Sequence, residues 1–408
     1  MLGMIIKRYG KQPTHKKNII KLSIILVILA ALITVGVYFF ISSVNPFVIK
    51  KPLDSAQVPA QVNKSGKLHM AAMGDMLAHD TIIANAKNGN EYNFAKFFQN
   101  IRHSYQNADL VFCNQEGLVS GENYGISGYP SFNAPTKFAT DLQSGAGCNM
   151  VNLANNHMGD KGVDATNATI DNWAALKPLA VSGANKSAAD QEKVSFAEVN
   201  GIRIGFVAFA DFNNNKNTPG YSVNDYHNEA LVRRLVGQAR ENADAVIVSM
   251  HWGVEDSTAV SAEQASEAKL LSDLGVDLII GTGPHVLQRE STIARPDGGQ
   301  TVVWYSLGNM LSSQLLTKEL IGGIAEFDIT KKGDKKVAID NLSFDPTYMH
   351  YEWTAAQAAR EDLLARKNAM IYLLNNAEEP LSRSLLNTNV SEQRQYVVDI
   401  MGSGVTIR

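Results

Sequence analysis

The sequence predicts an α/β domain that is preceded by one transmembrane helix. Short apolar runs alternate with amphipathic helical segments from about residue 68 onward, which is typical of parallel strands covered by helices. Before them lies "LSIILVILAALITVGVYFFI", residues 22–41, which contains no charged residue. A chain of 408 residues with 45% hydrophobic content can bury one large core or two ordinary ones.

The charge of the chain is unevenly distributed. The formal net charge is -3, but residues 1–41 hold six basic residues and no acidic one. The rest of the chain therefore has 31 basic residues against 40 acidic ones, a balance of -9. Such an acidic domain is a poor candidate for general nucleic-acid binding, so we expect no nucleic acid among its partners.

Residues 22–41 match the roughly 20 apolar residues that span the hydrocarbon core of a bilayer. Because basic residues are retained on the cytoplasmic side, residues 1–21 are expected in the cytoplasm and everything after Ile41 outside. A cleaved signal peptide is the alternative, but no small-residue cleavage site follows. The predicted localisation is the cell membrane, with a single pass and an extracytoplasmic main domain.

The segment after the anchor, residues 42–67, is rich in Pro, Ser, Gln and Lys and is interpreted as a stalk. A domain is predicted over residues 68–345. Its strands are expected at "LHMAAMG", "ADLVFCN", "NMVNLAN", "RIGFVAFA", "DAVIVSMH", "VDLIIG" and "TVVWYSLG".

Helices are predicted between several of these strands. Phe94, Phe97, Phe98 and Ile101 share one helical face, and another helix begins with a capping box at Ser261 and stops at Gly275. The pattern after Gly323 indicates a β-hairpin around a Gly-Asp turn. Residues 346–408 are predicted to form a helical C-terminal extension.

Two cysteines lie near neighbouring predicted strands. Cys113 comes late in "DLVFC", and Cys148 comes just before "MVNLA". If these strands run side by side, the two sulfurs are offset by several residues along the sheet. We therefore expect buried thiols, with a disulfide as the less favoured alternative.

Polar side chains follow the apolar strands one after another. In open α/β sheets, ligands bind beyond the carboxyl ends of the strands. The residues found there are Asp75, Glu116, Asn155, Asn156, His157, His251 and His285. A single histidine at a strand end is usually structural, but three of the nine histidines fall at such ends. Carboxylate, carboxamide and imidazole together suit divalent Zn, Mn or Fe, so a metal site assembled from separate strands is predicted.

The order of short motifs resembles the CapA/PgsA family of poly-gamma-glutamate capsule biosynthesis proteins, whose domain is related to calcineurin-like metallophosphoesterases. The resemblance extends from about Leu68 to Phe344. Six motifs carry it, namely "GD" at Gly74, "NQEG" at Asn114, "LANNH" at Leu153, "HWG" at His251, "PHVLQ" at Pro284 and "SLGN" at Ser306.

The resemblance implies a four-layer α/β/β/α sandwich. It also implies a site for one or two metal ions at one edge of the sandwich. By analogy, Asp75 binds one metal, Glu116 takes the place of a bridging carboxylate, and Asn156 or Asn155 supplies a carboxamide oxygen. His251 and His285 complete the ligands, and His157 protonates a leaving group. Two positions depart from the phosphoesterase pattern, since Leu77 and Thr282 stand where histidine ligands are expected.

Other polar and aromatic residues near these motifs have two interpretations each. Trp252 is a packing aromatic or a substrate platform, and Asn309 covers the site or ends a strand. His79 is a partner of the site or an exposed residue at a helix start. Asp160 orients His157 or caps the following helix, and capping is favoured.

Two functions from different classes remain at this point. In the first, the chain is an accessory component of a membrane machine that makes and exports poly-gamma-glutamate. The ATP-dependent ligase would then be a cytoplasmic partner, with a small membrane subunit beside it, because this sequence has no P-loop. In the second, the domain is a metal-dependent extracellular hydrolase of a phosphoester or a peptide-like polymer.

Overall fold

The computed structural model describes residues 65–408. The predicted cytoplasmic segment, the transmembrane anchor and nearly all of the predicted stalk lie outside the described residues. None of the helices between residues 65 and 408 is both long enough and apolar enough to span a bilayer. The described residues belong to one compact unit.

The described part of the chain contains 17 strands. They are β1 (Lys67–Leu77), β2 (Lys87–Asn88), β3 (Glu91–Tyr92), β4 (Leu110–Glu116), β5 (Met150–Asn152), β6 (Ala180–Ser182), β7 (Ser195–Val199), β8 (Ile202–Ala210), β9 (Ala245–His251), β10 (Leu278–Thr282), β11 (Leu287–Ala294), β12 (Gln300–Leu307), β13 (Asn309–Leu311), β14 (Ile321–Gly333), β15 (Lys336–Glu352), β16 (Lys367–Leu373) and β17 (Thr406–Ile407).

The same residues contain ten α-helices. They are α1 (Asp80–Ala86), α2 (Arg102–Tyr105), α3 (Lys137–Ser144), α4 (Val163–Leu176), α5 (Ala188–Gln191), α6 (Glu229–Asn242), α7 (Ala262–Asp273), α8 (Ala355–Ala358), α9 (Glu378–Ser382) and α10 (Val390–Met401).

Most strands belong to two mixed sheets. Sheet 1 has the order β16-β15-β14-β1-β4-β5-β6, with β13 beside β1 and β17 beside β15. Sheet 2 has the order β11-β12-β10-β9-β8-β7. The central strands β1, β4, β5 and β6 are parallel, and so are β8, β9, β10 and β12. Consequently the carboxyl ends of the central strands of each sheet lie at one edge.

The two sheets share a core. Phe112 on β4 lies 6.2 Å from Phe206 on β8, and Trp304 on β12 stacks 6.1 Å from Phe344 on β15, as ring centroids. A second core lies between sheet 2 and helices α6 and α7, where Leu235 and Leu271 are buried. The protein therefore has a mixed α/β fold in which two sheets pack face to face.

All seven predicted strands of the α/β domain are present, as β1, β4, β5, β8, β9, β10 and β12. The predicted hairpin is β14 with β15, and helix α7 has the expected capping box at Ser261. Gly275 follows α7 with a φ of 89°, as a left-handed helix end requires. The helix predicted around Phe94–Ile101 is a short 3-10 turn over Ala95–Phe98 followed by α2.

The prediction of a helical C-terminal extension is wrong for residues 367–373, which form strand β16 beside β15. Local helix propensity gives way there because Ala369 and Ile371 are buried on one face of the strand. The predicted boundary at residue 345 falls inside β15, and β17 adds to the same sheet. The helical prediction holds for α10.

The prediction of two free thiols is also wrong, because Cys113 and Cys148 form a disulfide with a Cα–Cα distance of 5.7 Å. The expected offset applies to residues within paired strands, whereas Cys148 precedes β5 and lies outside its ladder. Gly147, at φ 79°, turns the chain, and the Cys148 N–H donates to the carbonyl of Leu142. This turn brings the second sulfur back beside β4.

Candidate metal centre

The polar residues predicted from the sequence converge on the carboxyl edge of the two sheets. Asp75 and Glu116 lie at the ends of β1 and β4 in sheet 1, and His251 ends β9 in sheet 2. His285 follows β10 in the turn before β11. Each of these four residues is buried.

Asp75 is placed by a close approach between two backbone segments. A Cβ atom on Gly74 would lie 1.8 Å from the carbonyl oxygen of Gly308, so only glycine lets the chains meet here. The Asp75 N–H then donates to that same carbonyl over 3.0 Å. The Asp75 side chain accepts a hydrogen bond from Asn114 Nδ2 over 2.8 Å.

The carboxylate of Glu116 is the most informative group at this edge. It is 2% exposed, and neither oxygen has a hydrogen-bond partner among the described residues. Its Oε1 lies 3.6 Å from His285 Nε2 and 3.8 Å from His251 Nε2. A buried carboxylate without donors is costly unless a cation compensates its charge, so this atom arrangement indicates a cation site.

The turn after β10 brings a histidine and a backbone donor to Asp75. The N–H of Gly283, which has a φ of 104°, donates to Asp75 Oδ2 over 3.2 Å. His285 Nδ1 lies 3.0 Å from that same oxygen. His285 itself has a φ of 60°, a conformation that L residues rarely adopt and that concentrates at functional sites.

A second group of ligand atoms lies beside the first. Asn156 Oδ1 is 3.0 Å from His251 Nε2, and the other ring nitrogen of His251 is 3.1 Å from Thr282 Oγ1. Thr282 Oγ1 in turn donates to the carbonyl of Met250 over 3.4 Å. Thr282, at the position where a histidine ligand was expected, therefore orients His251 from behind.

The ionisation of the two histidines differs because their surroundings differ. Burial lowers the pKa of His251 to about 3, so its ring is neutral and has a lone pair to offer a metal. Burial also opposes charge on His285, but the carboxylates of Glu116 and Asp75 outweigh it and raise its pKa to about 10. The protonated His285 ring then provides the positive charge between the side chains of Asp75 and Glu116.

The same surroundings act on the carboxyl groups. Burial raises the pKa of Glu116 well above its ordinary value. Burial also disfavours the charge of Asp75, yet the hydrogen bond and charge of His285 lower its pKa overall. Asp75 is thus the permanent anion of the pair.

The residues present fit a divalent cation. Ligand atoms of Asp75, Glu116 and His285 all lie within 4.8 Å of one another, so this buried group could hold a metal ion. Asn156 and His251 supply oxygen and nitrogen atoms beside the same Glu116 carboxylate. Leu77, which stands where another histidine ligand was expected, offers no donor atom.

Asn155 is engaged elsewhere. Its Oδ1 accepts from the N–H groups of Gly117 and His157 over 3.2 Å each, and its Nδ2 donates to the carbonyl of Gln115. The side chain thus fixes the loop after β5 against the end of β4. Of the two predicted asparagines, Asn156 is the one whose oxygen faces a histidine of the site.

His157 is held by a carboxylate and an aromatic ring. Its Nδ1 lies 2.8 Å from Asp160 Oδ2, and its ring meets Phe132 edge-on at 4.6 Å. Asp160 also accepts from the Phe132 N–H over 2.7 Å. The favoured prediction that Asp160 caps helix α4 is wrong, because the cap position is Gly162 without a side-chain bond.

The remaining predicted residues have different surroundings. Trp252 packs in the second core, stacked on Tyr305, and its Nε1 donates to the Tyr305 carbonyl, which agrees with a packing aromatic. Asn309 lies beside Asp75 in the register of sheet 1, and its buried Oδ1 has no hydrogen-bond partner in the described chain. His79 packs edge-on against Phe132 at 5.1 Å.

Two asparagines behind Asp75 were not singled out from the sequence. Asn152 Nδ2 donates to Asn114 Oδ1 over 2.9 Å, and Asn114 donates onward to Asp75. The available signal was strand periodicity, since Asn114 and Glu116 are two residues apart and therefore share one face of β4. A polar residue on a strand face that is otherwise apolar is a signal of a functional site.

Comparisons with known proteins identify relatives of this chain. The family model described as "Bacterial capsule synthesis protein PGA_cap" matches residues 69–314, a range that includes every predicted site residue. The "PGA biosynthesis protein CapA" of Bacillus subtilis (strain 168) is 30% identical over 273 residues, covering 65% of this chain and 68% of that protein. The "Capsule biosynthesis protein CapA" of Bacillus anthracis is 28% identical over 289 residues, covering 68% of each.

Solved structures with a similar chain path are more distant. The NAD nucleotidase of Haemophilus influenzae matches with a TM-score of 0.41 and 12% identity, covering 84% of this chain and 64% of that one. A hypothetical protein of Thermus thermophilus matches with a TM-score of 0.40 and 16% identity, covering 68% and 98%. At TM-scores this low, neither likeness carries an argument about activity.

Proposed function

We propose that this chain is an outward-facing component of poly-gamma-glutamate synthesis or export. The chain belongs to the family of bacterial capsule synthesis proteins described as PGA_cap, and the proposal rests on that membership. Its involvement in capsule synthesis follows from the family. The membrane anchor at residues 22–41 and the extracytoplasmic position are part of the proposal. The buried disulfide supports them, since disulfides persist in oxidising compartments.

The proposal implies particular partners. The polymer would be poly-gamma-glutamate or a related anionic polymer, and the ligase that consumes ATP would be a separate cytoplasmic protein. A small membrane subunit would complete the assembly. The acidic balance of residues 42–408 supports the view that nucleic acid is not a partner.

We further propose that the carboxyl edge is a metal centre of metallophosphoesterase type within a four-layer sandwich. Asp75, Glu116 and His285 would hold one ion, and Glu116, Asn156 and His251 a second. The single observation that carries this is the buried Glu116 carboxylate, which has two histidines near it and no hydrogen-bond donor in the described chain. When bound, divalent Mn, Zn or Fe would lower the pKa of a water molecule and polarise a phosphoryl or acyl oxygen.

The protein's own residues would position and move a proton beside that centre. Asp160 fixes the tautomer of His157 by accepting from Nδ1, which leaves Nε2 to protonate a leaving group. Asn155 holds the loop that carries His157, and Asn114 and Gly283 hold Asp75 in place. Substrate contacts by Asn309 remain a prediction, and its orphaned oxygen supports them.

A second candidate function is a metal-dependent hydrolase that acts outside the cell on a phosphoester or a peptide-like polymer. The observation that favours it is the contact between His157 and Asp160, since a scaffold has no need of an oriented proton donor. The two functions differ in one requirement, which is turnover that depends on His157.

The experiment measures metal content and hydrolysis in the same preparation of full-length protein. We expect roughly stoichiometric transition metal in the wild type. His157→Ala should keep the metal and lose hydrolysis of a phosphodiester or glutamyl substrate, whereas the control His103→Ala, at an exposed site, should keep both. Wild-type protein that binds metal without turnover would leave the scaffold function, and a folded protein free of metal would contradict the metal centre.

A further inference from the structure

A second cavity lies beside the candidate metal centre. Its volume is about 600 Å³, and its walls are mainly apolar. Its rim exposes several large hydrophobic side chains to solvent, namely Tyr129, Leu315, Leu316, Leu363 and Leu364. Contiguous exposed apolar surface around a cavity is typical of a ligand-binding site.

Arg366 contributes a positive charge to the wall of this cavity. It is 3% exposed, and its guanidinium donates to the carbonyl oxygens of Leu363 and Ser313 and to Thr81 Oγ1. All of these acceptors are neutral. No carboxylate forms an ion pair with Arg366 within residues 65–408, and its guanidinium lies instead over the rings of Tyr351 at 4.8 Å and Trp353 at 5.6 Å. Buried charges are ordinarily paired, which makes this one unusual.

Two acidic residues also line the cavity, but each already has donors of its own. Glu319 Oε2 accepts from the N–H groups of Leu315 and Leu316 over 2.9 and 2.6 Å. Asp80 Oδ1 accepts from the Gly128 N–H over 2.8 Å. Neither carboxylate pairs with Arg366, whose guanidinium makes four hydrogen bonds inside the protein and keeps one N–H of Nη1 for an anion from outside.

The cavity is close to the proposed proton donor. His79 forms part of its wall, and the His79 ring lies 5.1 Å from the ring of Phe132. The ring of Phe132 also contacts the ring of His157, at 4.6 Å. A ligand in the cavity would thus lie two ring contacts away from His157.

We propose that this cavity binds an amphipathic anion, which is a molecule with a short aliphatic chain and one carboxylate or phosphate group. The leucine side chains of the rim bury the aliphatic chain, and Arg366 binds the anionic group through its remaining N–H and its charge. This site is separate from the metal centre and does not require that the metal centre turn over a substrate.

The test uses the full-length protein in lipid nanodiscs, with EDTA present so that metal at the neighbouring centre cannot capture the ligand. Hexyl phosphate, hexanoate, hexanol and inorganic phosphate are titrated, and the unfolding temperature is followed by tryptophan fluorescence. Empty nanodiscs measure partition of each probe into lipid. At least one of the two amphipathic anions should raise the unfolding temperature saturably, and a comparison of the two identifies the preferred head group. Hexanol and inorganic phosphate should bind about tenfold more weakly or worse.

Variants then assign the binding to the cavity. Arg366→Met should weaken the anion by about tenfold or more while leaving hexanol unchanged, and Arg360→Met, at an exposed arginine, serves as the matched control. If Arg366→Met fails to fold, Leu364→Glu places a negative charge on the exposed rim and should weaken the anion in the same way. Equal affinity for hexanol and the anions, or unchanged anion affinity in a folded variant, would overturn the proposal.

Discussion

The two sheets contribute different chemistry to the same edge. Sheet 1 and the loop after β5 supply the side-chain oxygens of Asp75, Glu116 and Asn156, while sheet 2 and its following turn supply the imidazoles of His251 and His285. The Glu116 carboxyl group has near neighbours of the right kind only because sheet 2 places two histidine nitrogens within 3.8 Å of it. Neither sheet alone provides all of these groups, so metal binding at this edge would depend on the packing of the two sheets.

The largest expected effect is a loss of metal affinity when Glu116, a proposed ligand from sheet 1, is replaced. Glu116→Gln keeps the shape of the side chain and removes the carboxyl group that lies near both histidines. Metal affinity should fall by more than about 100-fold, since even changes to residues behind the ligands cost roughly 10–100-fold. Elemental analysis after dialysis against a buffered metal series measures it.

The control for this variant is Glu255→Gln, at an exposed acidic residue near the site that contributes no ligand atom to the proposed centre. Retention of wild-type affinity by Glu116→Gln would mean that the carboxylate is not a ligand.

The next effect is on stability, through the disulfide that links β4 of sheet 1 to the turn before β5. Cys113→Ser should lower the free energy of unfolding by about 2–4 kcal/mol, because the disulfide to Cys148 constrains the unfolded chain. Cys148→Ser and the double variant should give the same loss, as all three remove one bond. Urea unfolding of each protein measures it, and a double variant much less stable than either single one would contradict a simple cross-link.

A smaller effect separates proton transfer from metal binding. Asp160→Asn removes the carboxylate that accepts from His157 Nδ1 but touches no ligand. Turnover should fall by up to about 100-fold, because general acid catalysis contributes about 10²–10⁴-fold and only the orientation is lost. Metal content should stay at the wild-type level, and its loss would show that Asp160 acts on the metal centre instead.

The smallest effect lies on helix α7, which packs against sheet 2 away from the proposed ligands. Burial, with the charge of Asp211 beside it, raises the pKa of Glu267 from 4.5 to about 8. At a pH between these two values, Glu267 keeps its proton in the folded protein and loses it in the unfolded chain. The free energy of unfolding therefore falls as the pH rises from about 4.5 to about 8. Glu267→Gln should remove that part of the slope, as measured by urea unfolding at about pH 5 and about pH 9.

Glu263→Gln, at an exposed neighbour on α7, should leave the slope as it is in the wild type. An unchanged slope in Glu267→Gln would show that Glu267 titrates normally.

Strand periodicity predicted the centre of the fold, because the central strands of both sheets are buried on two faces and appear as continuous apolar runs. The convergence of Asp75, Glu116, His251 and His285 followed from their positions at strand ends. The edge strand β16 was missed because an edge strand next to β15 is decided by tertiary packing and not by local propensity.

The disulfide and the contact of Asp160 with His157 were each the less favoured of two alternatives, for a related reason. Both depend on turns, at Gly147 and at Gly162, whose direction the sequence pattern does not show. The orphaned oxygens of Glu116 and the unpaired charge of Arg366 are likewise properties of the packed molecule. Both depend on which atoms lie nearby in three dimensions, and the sequence pattern does not give those neighbours.

The most direct test is anomalous diffraction from crystals of the metal-loaded protein, recorded at the absorption edge of the metal that elemental analysis identifies. The account predicts a peak within ligand distance of the Glu116 carboxylate and a histidine nitrogen of sheet 2, with Asp75 or Asn156 completing the site. A peak bound by residues of one sheet only, or a folded protein with no peak at this edge, would contradict it.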